Sequence, residues 1–163
     1  MAGEASAHGD IVELALPPRP DVVSVARLVV GALVAADPLF DEERSADVRL
    51  AVSEACTNAI QAQMACATIG SGEPILLRCT VTEGHLELAV SDHGSGFDPG
   101  TLTPHPEVTD PARLDFEGGL GIPLIRLLSD HVEFHVTPTG TTVEMTFEPR
   151  TEGDDVVLVA TTG

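Results

Sequence analysis

Along this chain the spacing of apolar residues changes between a period of about two and one of about 3.6, and each change marks an element. Residues 11–16 alternate apolar and less apolar positions and stop at Pro17-Pro18, the pattern of a short strand closed by a breaker. Val22, Val25, Ala26, Val29, Ala32 and Leu33 then recur at helical spacing, with Asp21 after Pro20 as the expected N-cap and a stop near Asp37-Pro38. The acidic stretch 41–45 leads into a second helix over 46–65, whose Val48, Ala51, Val52, Ala55 and Ala59 form the buried stripe. Gly70-Ser71-Gly72 ends this unit.

Two runs rich in strand-forming residues, Ile75–Thr82 and His85–Ser91, flank Glu83-Gly84, a two-residue hairpin signal. Residues 98–117 are proline-dotted and without period, and a connection of that length inside a compact domain points to a functional lid. A short helix is expected over 120–129, where Pro123 is tolerated because first-turn N–H groups have no intrahelical partner. His131–Thr137 and residues 141–148, joined by Pro138-Thr139-Gly140, predict a closing hairpin. The order strand, helix, helix, hairpin, lid, helix, hairpin implies an α/β (α+β) two-layer sandwich, with helices on one face of a mostly antiparallel sheet.

Length and charge narrow the function classes. At 163 residues the chain is of single-domain size. Residues 11–149 are expected to form the domain, with a disordered stretch over 1–10 and an acidic, then apolar, tail over 150–163. Its 26 Asp and Glu against 8 Lys and Arg give a net charge of −18, which repels nucleic-acid phosphates and suits a basic protein partner. Trp and Tyr are absent, which removes the usual base-stacking platforms, so no direct nucleic-acid binding is expected. The same field repels free nucleotide, so a nucleotide site would need a divalent cation to neutralise phosphates locally. Cys56, Cys66 and Cys79 lack C-x-x-C spacing and read as reduced thiols. The start of the chain lacks a signal-peptide pattern and no apolar run approaches a membrane span, so a cytoplasmic protein with no membrane contact is expected.

The chemistry lies in a split constellation. Glu54 and Asn58, four residues apart on the second helix, project from one face among small and apolar neighbours, Leu50 included. Asp92-His93-Gly94-Ser95-Gly96 follows a strand, where the glycines allow a tight turn behind a carboxylate. Gly118-Gly119-Leu120-Gly121 opens a helix, whose unpaired N–H groups and dipole favour phosphate. Each group alone has a plain structural explanation: a solvated pair, an Asx-turn, a hinge. No P-loop pattern or complete dinucleotide fingerprint is present. His131 and His135 share one strand face and read as surface residues rather than a metal site.

In order and spacing these groups resemble the N box, G1 box and G2 box of the GHKL ATPase superfamily, and VSEACTNAI in particular looks like the serine-kinase anti-sigma factors of the RsbW type. The resemblance covers residues 11–147. It implies a Bergerat-type ATP-binding fold, with ATP and Mg²⁺ as cofactors. The matching roles would make Glu54 the general base for the attacking hydroxyl and Asn58 a Mg²⁺ ligand through its carbonyl oxygen. A semi-buried carboxylate and a hard amide oxygen suit those roles. Asp92 would accept a hydrogen bond from the adenine amino group, helped by Thr141, with Gly94 and Gly96 letting backbone approach base and ribose. Gly118, Gly119, Leu120 and Gly121 would hold the phosphates.

The segment containing Arg27 resembles the one whose arginine contacts the sigma factor. The implied function is an ATP-binding anti-sigma factor that sequesters a sigma factor and phosphorylates a serine on an anti-anti-sigma antagonist of the STAS type; a homodimer is implied by the family alone. Ala62 stands where the family pattern has histidine, and the lid holds a single basic residue, Arg113. A non-catalytic ATP-binding module of the same fold is therefore the first alternative. A sensor histidine kinase domain is the second, disfavoured because such domains usually carry asparagine at the place of Glu54 and need a phosphoacceptor helix, which is not found before Ile11.

Overall fold

The computed structural model describes residues 9–66, 72–95 and 121–151. Outside them lie the expected lid, the start of the chain, the tail beyond Thr151 and, of the candidate residues, Gly96, Gly118, Gly119 and Leu120. Strand β1 (Asp10–Leu16) leads through one 3-10 turn (Pro20–Val22) to helices α1 (Val23–Ala35) and α2 (Glu42–Ala65). A hairpin of β2 (Ile75–Thr82) and β3 (His85–Ser91) follows, then α3 (Gly121–Leu128) and a second hairpin of β4 (His131–Thr137) and β5 (Gly140–Phe147). The strands form one sheet in the order β1-β2-β3-β5-β4, every neighbouring pair antiparallel.

Period-two alternation gives the sheet one covered and one open face. Leu77, Cys79, Leu88, Val90, Val143 and Met145 point inward. Register aligns Leu14, Leu77, Val90, Val143 and Phe134 into one apolar row across all five strands. Helix α2 packs on β2, β3 and β5 and is itself flanked by α1 and α3. Its expected stripe of Val48, Ala51, Val52, Ala55 and Ala59 is buried throughout. The result is the two-layer α+β sandwich expected from the pattern.

A buried cation fastens α3 in place. Arg44, only 4% exposed, donates from Nη1 to the Leu128 carbonyl at 2.7 Å and from Nε to the Glu148 carbonyl at 2.8 Å. It also pairs with Asp130 and lies over the Phe147 ring. The first turn of α2 is thereby joined to the end of α3 and the end of β5.

Several boundaries differ from expectation. Asp21 is not an N-cap: Pro20 starts a 3-10 turn one residue earlier, and the Asp21 carboxylate pairs with Arg19 at 3.3 Å. Helix α2 begins at Glu42 rather than 46, because Asp41 caps it by accepting the Arg44 N–H at 2.6 Å. The acidic stretch is therefore its first turn, where carboxylates suit the helix dipole. Leu50 is 42% exposed and stands outside the buried stripe. Gly140 belongs to β5, leaving Pro138-Thr139 as the turn. Gly84 does adopt the positive φ of 66° that its hairpin turn needs, and its N–H donates to Asp37 Oδ2 at 2.9 Å.

Candidate functional site

One wall of the site is α2. Glu54 and Asn58, both half-buried, stand one turn apart on the side facing α3. The first residue of α3, Gly121, presses against both: a methyl group there would lie 2.9 Å from Asn58 Nδ2 and 3.1 Å from Glu54 Oε2. Glycine at 121 thus lets the start of a helix approach this pair, and the N box meets the end of the G2 box.

The opposite wall is the loop after β3. Asp92 is 8% exposed, and its Oδ1 accepts the Gly94 N–H at 2.8 Å and the Thr141 N–H at 3.3 Å. Its own N–H donates to the Thr141 carbonyl at 2.9 Å, so β5 and the loop hold each other in register. Burial pushes the Asp92 carboxyl above its ordinary range, while the N–H groups of Gly94 and Thr141 and the nearby His93 pull it down.

Two glycines permit this closeness. A methyl group on Gly94 would lie 2.9 Å from the Ala62 carbonyl oxygen, and one on Gly140 would lie 2.0 Å from the Asp92 carbonyl oxygen. Both obstacles are backbone atoms, which cannot rotate aside.

Between the walls is a cavity of about 270 Å³. Ala55, Ala59, Val90, Ile122, Phe134 and Val143 give it apolar sides, while Asn58, Asp92 and Thr141 supply the polar groups. Apolar flanks with a few convergent polar groups are what a flat heteroaromatic ligand needs. Thr141 Oγ1 is buried with no hydrogen-bond partner among the described residues, as is His93 Nδ1. Such an orphan costs about 1–3 kcal/mol unless a ligand or water completes it.

Of the predicted residues, Asn58, Asp92 and Thr141 line this cavity, while Glu54 and Gly121 stand beside Asn58 and Gly94 packs against Ala62 at its edge. Arg27 stands apart on the exposed face of α1, beside Val25, Leu28 and Arg49. Three contributors escape the sequence pattern. Gln63 is fully buried and joins α2 to the Asp92 loop, accepting the His93 N–H at 3.2 Å and donating to the Glu73 carbonyl. Gly140 falls in the predicted turn Pro138-Thr139-Gly140, and Phe134 inside the predicted strand His131–Thr137. Strand alternation at 132 and 134 was the available signal for the last. Cys56 and Cys79 are core packing groups, their thiols pushed up to about 12 and about 11 by burial, with Cys79 adding to the first.

Comparison with known proteins assigns the arrangement. Residues 16–147 match the model of the histidine kinase-like ATPase domain. The serine-protein kinase RsbW of Bacillus pumilus is 36% identical over 141 residues, 84% of this chain and 85% of its own. RsbW of Bacillus subtilis is 35% identical over 146 residues, covering 85% and 86%. The chain belongs to the RsbW family of serine-protein kinases, within the histidine kinase-like ATPases. Among solved structures, the RsbU and RsbW domains of a Mycobacterium tuberculosis protein align with a TM-score of 0.60 at 16% identity, which shows the shared fold. This RsbW-family chain covers 32% of that longer protein, and 85% of this chain is aligned. Among the described residues no helix is long and apolar enough to cross a membrane.

Proposed function

We propose that this RsbW-family kinase binds ATP with Mg²⁺ in the cavity between α2, the Asp92 loop and β5, and phosphorylates a serine on an anti-anti-sigma antagonist of the STAS type. The observation that carries the reading is the pairing of a buried acceptor, Asp92, with the unpartnered hydroxyl of Thr141 at an apolar-walled cavity. Asp92 fits the role of accepting from an adenine amino group, a position where guanine offers a carbonyl and would leave the carboxylate facing an acceptor. Thr141 completes its own hydrogen bonding on the same ligand. Gly94 keeps side chains away from the base, and the family pattern would give Gly96 the same part at the ribose and Gly118, Gly119, Leu120 and Gly121 the phosphates.

ATP would supply the phosphoryl group, and its Mg²⁺ the charge neutralisation that a chain of net charge −18 cannot provide. Asn58 offers the hard amide oxygen for that ion. Glu54, one helical turn away, would take the proton from the attacking seryl hydroxyl as its oxygen bonds the γ-phosphorus and the bond to the ADP oxygen breaks. Much of the catalysis is positioning: α3 fixes Glu54 and Asn58 from one side, and Gln63 fixes the Asp92 loop from the other.

Arg27 belongs to a separate surface in this reading, the one that holds a sigma factor in the cytoplasm, with a homodimer as the working unit. Exposed Val25 and Leu28, at 47% and 74%, support a docking role for that face. Titration calorimetry with ATP and GTP, each with Mg²⁺, tests the nucleotide assignment. ATP should bind about 5- to 150-fold tighter, since one mismatched buried polar group costs about 1–3 kcal/mol. Equal affinities would reject adenine reading by Asp92.

A further inference from the structure

The open face of the sheet carries a second cluster, on the far side of β4 from the nucleotide cavity. Alternation along β4 turns Val132 and Phe134 inward and leaves His131, Glu133 and His135 exposed in a row. Register then sets Glu133 directly opposite Glu144 of β5. Like charges directly opposite on one face of a strand pair repel, so this placement calls for a cation. Arg78 does not provide it: Ala89 separates it from Glu144 in the cross-strand row, and its Nη1 pairs with Glu13 at 3.6 Å.

Imidazole faces the two carboxylates instead. His135 Nε2 lies 3.2 Å from Glu144 Oε2 and 3.7 Å from Glu133 Oε2. One donor atom from each of Glu133, His135 and Glu144 falls within 4.8 Å of the other two. A tetrahedral ion with bonds of about 2.0–2.1 Å separates its ligand atoms by about 3.4 Å, and the gaps of 3.2 and 3.7 Å bracket that figure. The backbones are held by paired strands, so the donors are already assembled. His131 Nε2 lies 3.0 Å from the other Glu133 oxygen, Oε1. That hydrogen bond fixes the orientation of the Glu133 carboxylate. An open groove of about 420 Å³, bordered by His131, Glu133 and Glu144, leaves room for water to complete a coordination shell.

We propose that Glu133, His135 and Glu144 form a site for a divalent transition-metal ion of the zinc class, with His131 orienting Glu133. One imidazole nitrogen and two carboxylate oxygens match zinc-class ions rather than Mg²⁺ or Ca²⁺, which prefer all-oxygen shells. The site is distinct from the nucleotide cavity and does not depend on its assignment. It lies on the strand whose inward Phe134 lines that cavity, so an ion here would also stiffen the hairpin that carries Thr141.

The test titrates the full chain with Zn²⁺ by calorimetry and with Co²⁺ by visible absorption, in excess Mg²⁺ to occupy hard-cation sites. His135→Ala, Glu144→Gln and, as a thiol control, Cys66→Ser are titrated alongside, with circular dichroism confirming each fold. Wild type should take up a single equivalent and give the intense visible bands of low-coordinate Co²⁺. His135→Ala and Glu144→Gln should each weaken uptake at least about tenfold, and Cys66→Ser should leave it unchanged. Absence of saturable uptake, uptake unaffected by His135→Ala and Glu144→Gln, or loss in Cys66→Ser would overturn the proposal and leave a cluster of surface ion pairs.

Discussion

Replacing Thr141 by valine should move stability and nucleotide affinity in opposite directions. Thr141 is 2% exposed and its Oγ1 has no partner among the described residues. Valine keeps the β-branched shape that a strand accommodates and removes the unsatisfied hydroxyl. Relief of an unsatisfied buried polar group is worth about 1–3 kcal/mol. In a protein of this size each kcal/mol shifts Tm by roughly 2–4 °C, so the nucleotide-free variant should melt several degrees higher. With ATP and Mg²⁺ present, the variant lacks a hydrogen bond worth about 0.5–1.5 kcal/mol, and affinity should fall about two- to tenfold. Differential scanning fluorimetry without nucleotide and calorimetry with ATP measure the two arms. A lower nucleotide-free Tm, or an unchanged ATP affinity, would refute the assignment of this hydroxyl to the ligand.

Three further substitutions probe the surrounding framework. The Asp92 carboxyl titrates above its ordinary range, so its stabilising contribution is present at low pH and lost as pH rises through the folded value. Asp92→Asn, whose amide oxygen can still accept from Gly94 and Thr141, should stabilise the nucleotide-free protein at neutral pH. The gap to wild type should narrow as pH falls through the carboxylate range, while ATP affinity drops about ten- to a hundredfold; melts across a pH series and calorimetry check both. Gly140→Ala puts a methyl group 2.0 Å from the Asp92 carbonyl oxygen and should cost about 2–3 kcal/mol in urea unfolding, because backbone must separate from backbone. Arg27→Glu should weaken sigma-factor binding in size-exclusion runs with stability changed by less than about 0.5 kcal/mol, as expected for an exposed residue.

Much of this architecture was legible wherever a local rule governs. Glu83-Gly84 marks its hairpin because a two-residue turn needs a positive φ, and the stripe on α2 follows from helical periodicity alone. The start of α2 was missed because four polar residues after Asp41 look like loop, although a capping aspartate followed by acids is itself a helix-start signal. Asp21 misled because proline at the first helical position moved the start ahead of it.

Around the cavity, the positions of Glu54, Asn58 and Asp92 were suggested by motif order and spacing, and that of Thr141 by the family resemblance. Gly140 and Gln63 were not. Their roles rest on how closely two backbones approach and on a buried amide reaching across the fold, neither of which leaves a periodic trace. Buried Arg44 escaped for the same reason, since the Leu128 and Glu148 carbonyls and Asp130 that it binds lie more than eighty residues away in sequence.

Single-turnover transfer of labelled phosphate from ATP to the cognate STAS-type antagonist, comparing wild type with Glu54→Gln, tests the central claim most directly. Glutamine keeps the size and hydrogen bonding of Glu54 beside Gly121 and Asn58 but cannot take the seryl proton. Wild type should phosphorylate the antagonist on serine, and Glu54→Gln should bind ATP with unchanged affinity while transferring about 10²–10⁴ times more slowly. A wild-type chain that binds ATP yet transfers no phosphate, or a Glu54→Gln variant that transfers at the wild-type rate, would contradict the account.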